Sequence, residues 1–180
     1  MAILKVARLG HPILRKKAGL VNKSEISSVT VQTLIDDMIE TMHEYEGLGL
    51  AAPQVHVSKQ LVVIESQSSS RYPEAPEIPR MIMSNPEIKY LTDEHIESWE
   101  GCLSVPDLRG LVPRCQRIQV VFYDRDGLRH TQIAEDFLSI VIQHETDHLF
   151  GKVFLDRMED LSSLSFLSEF KRHKADITLS

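Results

Sequence analysis

Between Ser27 and His43 the apolar residues Val31, Leu34, Ile35, Met38, Ile39 and Met42 recur at three- and four-residue spacing. That period predicts an amphipathic helix with one buried face, ending where Gly47 and Gly49 begin. Leu61-Val62-Val63-Ile64 is an unbroken apolar run, the pattern of a buried strand. From Ser66 to Pro79 the chain turns to Ser and Pro, and Pro73, Pro76 and Pro79 exclude a regular helix or central strand. An inserted surface loop near a cleft is expected there. Met81 to Met83 predicts a short strand entering a turn at Asn85-Pro86, and Ile88 to Trp99 alternates imperfectly. Pro106-Asp107 and Arg109-Gly110 mark further turns.

Ile118 to Tyr123, the Asp126-Gly127 turn and Leu128 to Ile133 give the clearest hairpin pattern. A second helical pattern covers 134 to 149 and should stop before Gly151, a residue suited to the left-handed position that ends helices. Leu161, Leu164, Leu167 and Phe170 predict a closing helix over 160 to 173, with Lys171-Arg172-His173-Lys174 as a solvated cationic end favoured by the helix dipole. Ala175 to Ser180 reads as a frayed end. At the other end, Gly10-His11-Pro12-Ile13-Leu14-Arg15 pairs a turn signature with two aliphatic residues, predicting an arm packed on the body or a solvated leader anchored by those two side chains. Short strands around a late helix, without regular strand–helix alternation, predict an α+β fold.

Composition narrows the function classes. The 180 residues suit one domain spanning 1 to 180 with its own core. Lys and Arg total 20 against 26 Asp and Glu, a net charge of −6, which gives no support for nucleic-acid binding or adhesion to acidic lipid. The first residues carry no long apolar stretch or cleavage signature, so neither a signal peptide nor a membrane anchor is expected. Two cysteines, Cys102 and Cys115, make a disulfide framework improbable and point to an intracellular, cytoplasmic protein.

The chemistry begins at Gln143-His144-Glu145-Thr146-Asp147-His148. On a helix, His144 and His148 stand about one turn apart on one face, so both imidazoles can reach one metal ion. Glu145 lies about 100° round the helix, where its carboxylate reaches a water on that ion without being a ligand. The same face continues through Phe137, Ile140 and Val141, so the pair extends an apolar stripe pointing into protein. Taken alone, the pattern also describes two ordinary buried histidines. A catalytic site wants a third protein ligand and one open position, and Cys102 in Glu100-Gly101-Cys102-Leu103-Ser104 can complete it. One thiolate and two neutral imidazoles leave a net +1 on a divalent ion, enough to lower the pKa of water there. Thiolate ligation suits Zn²⁺, Fe²⁺ or Co²⁺. Cys115 reads as a buried free cysteine. Gly47-Leu48-Gly49-Leu50-Ala51-Ala52-Pro53-Gln54 allows close backbone approach or a tight core connection, and lacks the Lys of a phosphate loop.

These three stretches together closely resemble the signatures of the peptide deformylases, metallohydrolases that remove the N-formyl group from the initiator methionine of nascent polypeptides. The opening Leu9 to Arg15 and the closing Gly151 to Arg157 are also similar to that family, so the resemblance spans nearly the whole chain. It implies mostly antiparallel sheets packed around a central metal-binding helix, with a C-terminal helix. It implies Cys102, His144 and His148 as metal ligands, for Fe²⁺ in many native enzymes with Zn²⁺ or Ni²⁺ as replacements. Glu145 is implied as general base and proton shuttle, with the Gln54 amide and Leu103 N–H as oxyanion donors. Gly49 would hold the substrate main chain, and Leu48, Phe137 and Ile140 match positions round the methionine pocket. Glu100 and Arg109 match structural or orienting positions, while Asp147 is left between supporting a ligand histidine and a helix contact. The implied partners are formyl-methionyl peptides emerging from the ribosome, with no nucleic-acid or membrane binding. A small Gly/Ala lining fits an acyl group that carries only hydrogen. Two other readings are a different amide hydrolase on the same metal site and a non-enzymatic metal or formyl-peptide binder; the latter needs neither Glu145 nor Gln54. Asp136 and Ser139 depart from the Gly and Ala of many relatives, which places the expected difference at the pocket rim.

Overall fold

The computed structural model describes residues 2–66 and 76–173. Helix α1 spans Val29–Glu44, opened by the Ser28 hydroxyl accepting from the Val31 N–H. Its stripe is used as the spacing predicts: Ile35, Met38, Ile39 and Met42 are buried. The helix stops at Glu44, and Glu46 takes a positive φ of 50°, so the turn comes just before the glycines.

Eight strands follow among the described residues: β1 Gly49–Ala51, β2 Leu61–Ser66, β3 Ile78–Tyr90, β4 His95–Cys102, β5 Val105–Cys115, β6 Arg117–Tyr123, β7 Arg129–Glu135 and β8 Ser165–Phe166. They form a five-stranded sheet in the order β1-β2-β3-β6-β7 and a three-stranded sheet β4-β5-β8. Every pairing is antiparallel, so the fold is α+β as expected. Helix α2, Asp136–Leu149, contacts both sheets.

The proline readings need correction. Pro79 and Pro86 both lie inside β3, and no turn forms at Asn85-Pro86. The strand changes partner along its length: Met81 to Ser84 pair with β2, whereas Glu87 to Tyr90 pair with β6. Register shifts fall at Ile64/Ser66, opposite Pro79, and at Ser84/Glu87, where Asn85 has φ 52°. A missing N–H costs little at a bulge. Most of the expected 66–79 loop lies outside the described residues, and its two ends belong to β2 and β3. Pro106-Asp107 and Arg109-Gly110 are likewise not separate turns but part of β5, with Asp107 at φ 61°.

The hairpin of β6 and β7 matches its prediction, but β7 runs on to Glu135, so α2 starts at Asp136, not 134. The C-terminal stretch is not one helix. Asp160 caps a 3-10 turn at Leu161–Ser163, β8 pairs with Leu108 and Arg109, and only α3, Leu167–His173, is helical. Backbone pairing to β5 outcompetes the helical period. The cationic end Lys171 to His173 closes α3, while Lys174 and Ala175 to Ser180 lie outside the described residues. No helix among the described residues is long and apolar enough to cross a membrane.

At the end of β2, burial pushes the Glu65 carboxyl up, but His43 and Arg80 hold it below its ordinary range, with His43 Nε2 at 2.7 Å and Arg80 Nε at 3.0 Å. A depressed folded pKa contributes stability that is full above the unfolded value of about 4.3 and is lost as pH falls through the folded value. Glu65→Gln should therefore flatten the fall in unfolding free energy below pH ~4.3, read from urea titrations across the acid range; an unchanged acid slope would contradict this account.

Candidate metal centre

Helix α2 is buried from Ser139 through Leu149, so its polar residues have no solvent to turn to. His144 and His148 take their expected places one turn apart, with ring centroids 5.3 Å apart. Cys102 ends β4, and the two-residue link Leu103-Ser104 leads into β5. That hairpin brings the thiol against the helix: Sγ lies 3.3 Å from His148 Nε2. One ligand atom each from Cys102, His144 and His148 lies within 4.8 Å of the others. The 3.3 Å between Cys102 Sγ and His148 Nε2 is within the reach of two metal–ligand bonds of about 2.0–2.3 Å.

The ring orientations favour the same use. His144 Nδ1 is 2.7 Å from Glu100 Oε2, which leaves its Nε2 for an ion. His148 Nδ1 has no protein hydrogen-bond partner although the residue is fully buried. Burial raises the Cys102 thiol, yet His148 and His144 beside it bring it well below the ordinary range. Burial lowers His144, but Cys102 and Glu100 lift it well above. The pocket thus favours a thiolate beside positive charge, and a divalent cation can supply that charge in place of imidazole protons.

Glu145 follows His144 on α2 and packs towards β1. Burial is the main cause raising its carboxyl, to about 7, against the opposing pull of His144 and His148. One of its oxygens is buried without a partner. It packs against β1 so closely that a Cβ on Gly49 would lie 2.5 Å from Oε1. Of the two uses its composition allowed, the glycine segment makes the close approach, here to a carboxylate, and it does so as a strand at the sheet edge, which the composition did not indicate.

After β1 the chain enters a 3-10 turn, Ala52–Val55, that buries Gln54. Its Oε1 accepts from the Ala51 N–H at 2.8 Å, which settles the amide orientation. Nε2 then points at Cys102 Sγ, 3.4 Å, and Ser104 Oγ, 3.2 Å. Gln54 and the Leu103 turn therefore meet beside the thiol. Of the three expected pocket residues, Leu48 is half-buried before β1, Phe137 is half-buried two turns before His144, and Ile140 is buried one turn before it.

Behind His144 runs a buried chain of charge. Glu100 accepts from Arg114 Nε at 2.7 Å and Nη2 at 2.9 Å; Arg114 Nη1 reaches Asp147 Oδ2 at 2.6 Å; Arg157 Nε reaches the same carboxylate at 3.0 Å. Burial would raise Glu100, and Arg114 with His144 holds it below its ordinary range. Asp147 is therefore linked to His144, through Arg114 and Glu100. Arg109 is also buried, and its guanidinium lies where a Cβ on Gly101 would come 2.0 Å from Nη1, which explains that glycine. Ser139 is not at a rim: its hydroxyl donates to the Cys115 carbonyl at 2.8 Å inside the core. Asp136 is exposed at φ 51° and accepts from Gln116 Nε2 at 3.0 Å.

Sequence reading missed Arg114 and Ser104. Arg114 shares the strand phase of buried Val112, so period two alone could have placed it inward. Nothing in the sequence pairs it with Glu100 and Asp147.

Comparison with known proteins agrees with this arrangement. The family profile described as "Polypeptide deformylase" matches residues 3–163. A peptide deformylase of Leptospira biflexa is 45% identical over 160 residues, covering 88% of this chain and 89% of that protein. Peptide deformylase 2 of a Nostoc species is 46% identical over 167 residues, covering 93% and 91%. The Met-Ala-Ser-bound crystal structure of a class I type b peptide deformylase from Acinetobacter baumannii superposes with a TM-score of 0.84 at 39% identity, covering 87% of this chain and 99% of that one.

Arg114→Met should remove the buried cation shared by Glu100 and Asp147, leaving Glu100 with His144 alone and Asp147 with the more exposed Arg157 alone, at a cost of about 3–5 kcal/mol. Loss of the support behind His144 should also weaken divalent-metal affinity by roughly 10–100-fold. Urea unfolding and chelator competition read the two effects separately, and wild-type metal affinity in a folded Arg114→Met protein would contradict the second.

Proposed function

The chain belongs to the peptide deformylase family, and on that premise we propose how its residues divide the labour of the reaction. The reaction is metal-dependent hydrolysis of the N-formyl group from the N-terminal formyl-methionine of nascent polypeptides, releasing formate. The observation that carries the residue assignment is that Gln54 Nε2 lies 3.4 Å from Cys102 Sγ and 3.2 Å from Ser104 Oγ, next to Leu103, while Glu145, between the two histidines on α2, packs against Gly49.

Cys102, His144 and His148 would hold one divalent ion, with Fe²⁺ as native metal and Zn²⁺ or Ni²⁺ as replacements, all compatible with a thiolate and two imidazoles. Bound there, the ion supplies Lewis acidity at the formyl oxygen and lowers the pKa of water. Glu145 takes the proton from the attacking water; a carboxyl raised by burial to about 7 is matched to that task. As the formyl oxygen gains charge, Gln54 Nε2 and the Leu103 N–H donate to it. Glu145 then returns the proton to the leaving nitrogen, the C–N bond breaks, and formate and a free amino terminus result. Glu100, held by Arg114, keeps His144 in one orientation throughout.

The β1 segment at Gly49 receives the substrate main chain in extended form, and Leu48, Phe137 and Ile140 surround the methionine side chain, whose unbranched thioether suits an apolar recess. The substrate in the cell is the formyl-methionyl chain leaving the ribosome, met in the cytoplasm by residues 1–180 acting as one domain.

The test is formate release from a formyl-Met peptide, measured without oxygen on protein loaded with Fe²⁺ or Ni²⁺. Glu145→Gln should keep its metal and lose at least ~100-fold in turnover; wild-type turnover would remove Glu145 from the mechanism. Gly49→Ala should keep its metal as well but lose turnover by roughly 10-fold or more, because the new methyl displaces the base from its position. A Gly49→Ala enzyme with unchanged turnover would mean that the carboxylate has freedom to move aside.

A further inference from the structure

The N-terminal arm takes part in none of the chemistry described above, yet it touches both segments that supply the oxyanion donors. Residues 2 to 8 have no regular secondary structure. Ala7 nevertheless donates its N–H to the Gln54 carbonyl at 2.7 Å, and Leu9 donates to the Ser104 carbonyl at 2.7 Å. Gln54 and Ser104 are 50 residues apart in sequence, and one follows a sheet edge while the other closes a hairpin. The arm is the backbone connection that binds the two at the spacing of two residues. Ala7 is buried at the crossing, and the His11 ring meets His56, two residues past Gln54, edge to face at 4.7 Å.

The strap is pinned on both sides. Upstream, the Ala2 N–H reaches Asp37 Oδ1 at 2.7 Å and the Leu4 N–H reaches Thr41 Oγ1 at 2.8 Å, tying it to α1. Downstream, Leu14 is fully buried and the Ala18 N–H donates to the Leu149 carbonyl at 2.8 Å, tying it to the end of α2. A segment held at both ends cannot slide, and with the turn that starts at Arg8 closed by the His11 N–H on the Arg8 carbonyl at 2.9 Å, the distance between the Ala7 and Leu9 amides is set by the chain itself.

We infer that Ala7 and Leu9 are positioning residues: their N–H groups fix the Gln54 turn and the Cys102-Leu103-Ser104 turn relative to one another and so set the two oxyanion donors. This rests on the proposed donor roles of Gln54 and Leu103. Oxyanion donors act only when aimed at the place where charge develops, and a misplacement of about 1 Å costs on the order of 100-fold in rate. A strap that shifts them by part of that distance governs turnover more than substrate binding.

The experiment compares Ala7→Pro and Leu9→Pro, each of which deletes one N–H, with Arg8→Pro between them as control for ring stiffness. Each is made alone and combined with Gln54→Ala in the full-length, metal-loaded protein. Ala7→Pro should lower kcat on a formyl-Met peptide by ~10-fold or more, with KM within about 3-fold, one metal retained and Arg8→Pro near wild type. In the Gln54→Ala background Ala7→Pro should add almost nothing, because the group it positions is gone, whereas Leu9→Pro, acting on the Leu103 side, should keep its full effect. Where a proline variant does not fold, an α-hydroxy acid placed at position 7 or 9 by nonsense suppression removes the N–H alone, and the same outcomes apply. Wild-type kcat in folded Ala7 variants, or an Ala7 effect that multiplies unchanged onto Gln54→Ala, would show a merely structural arm and overturn the inference. Gln54→Ala with wild-type kcat would overturn both the inference and the donor role beneath it; loss in Gln54→Ala with none in Ala7→Pro overturns the strap alone.

Discussion

The contact on which most of this molecule depends is Arg114 between Glu100 and Asp147. All three side chains are buried, and taking them out of water is expensive unless every charge finds a partner in good geometry. Each does: Glu100 receives two Arg114 nitrogens and His144, and Asp147 receives Arg114 and the more exposed Arg157. The arrangement closes only if β4, β5 and α2 sit in one relation, because one member comes from each. A buried network of this kind contributes little net stability compared with an apolar core of the same volume. What it contributes here is definition: His144 has one orientation, with Nδ1 engaged and Nε2 turned towards Cys102 and His148.

The surrounding fold can be understood as what makes that arrangement possible. An amphipathic helix with a wet polar face would have hydrated Gln143, Asp147 and His148. With both sheets and the β1 turn against it, α2 is buried from Ser139 to Leu149, so its polar residues there must bond to protein or remain unpartnered. Gln143 bonds to the Cys115 carbonyl and Ser139, and Asp147 to two arginines. His148 Nδ1, one Glu145 oxygen and, between them, the Thr146 hydroxyl have no protein partner. Polar atoms that cost this much to bury are found where chemistry uses them. The same dryness lifts Glu145 towards neutrality while the arginines keep Glu100 and Asp147 charged. Carboxylates within three residues of one another on one helix, Glu145 and Asp147, thus differ in protonation because only one has guanidinium partners.

Close packing around the site also accounts for its glycines. Gly49 admits Glu145, Gly101 admits the Arg109 guanidinium, and Gly151, at φ 73°, admits the backbone of Arg15 where a Cβ would come within 2.7 Å. In each case a missing side chain on one element makes room for a charged or backbone group of another, so the glycines serve contact between segments more than local turning. The N-terminal arm follows the same logic in reverse, filling space between segments and supplying amide donors to two of them.

What the sequence by itself determined was local. Helical spacing located α1 and put His144, Glu145 and His148 on one helix with the two histidines a turn apart; period two and Asp126-Gly127 gave the β6–β7 hairpin; three short signatures gave the family. These features are legible because helix and strand periods are properties of neighbouring residues. Tertiary structure decided the rest: that Pro79 and Pro86 are tolerated within one strand because each lies at a register shift, that residues 160–173 break into a turn, a strand and a short helix because β5 offers backbone partners, and that Arg114, unremarkable in its strand, joins Glu100 to Asp147. Those outcomes depend on which groups are buried together, and desolvation acts on atoms close in space whatever their distance along the chain.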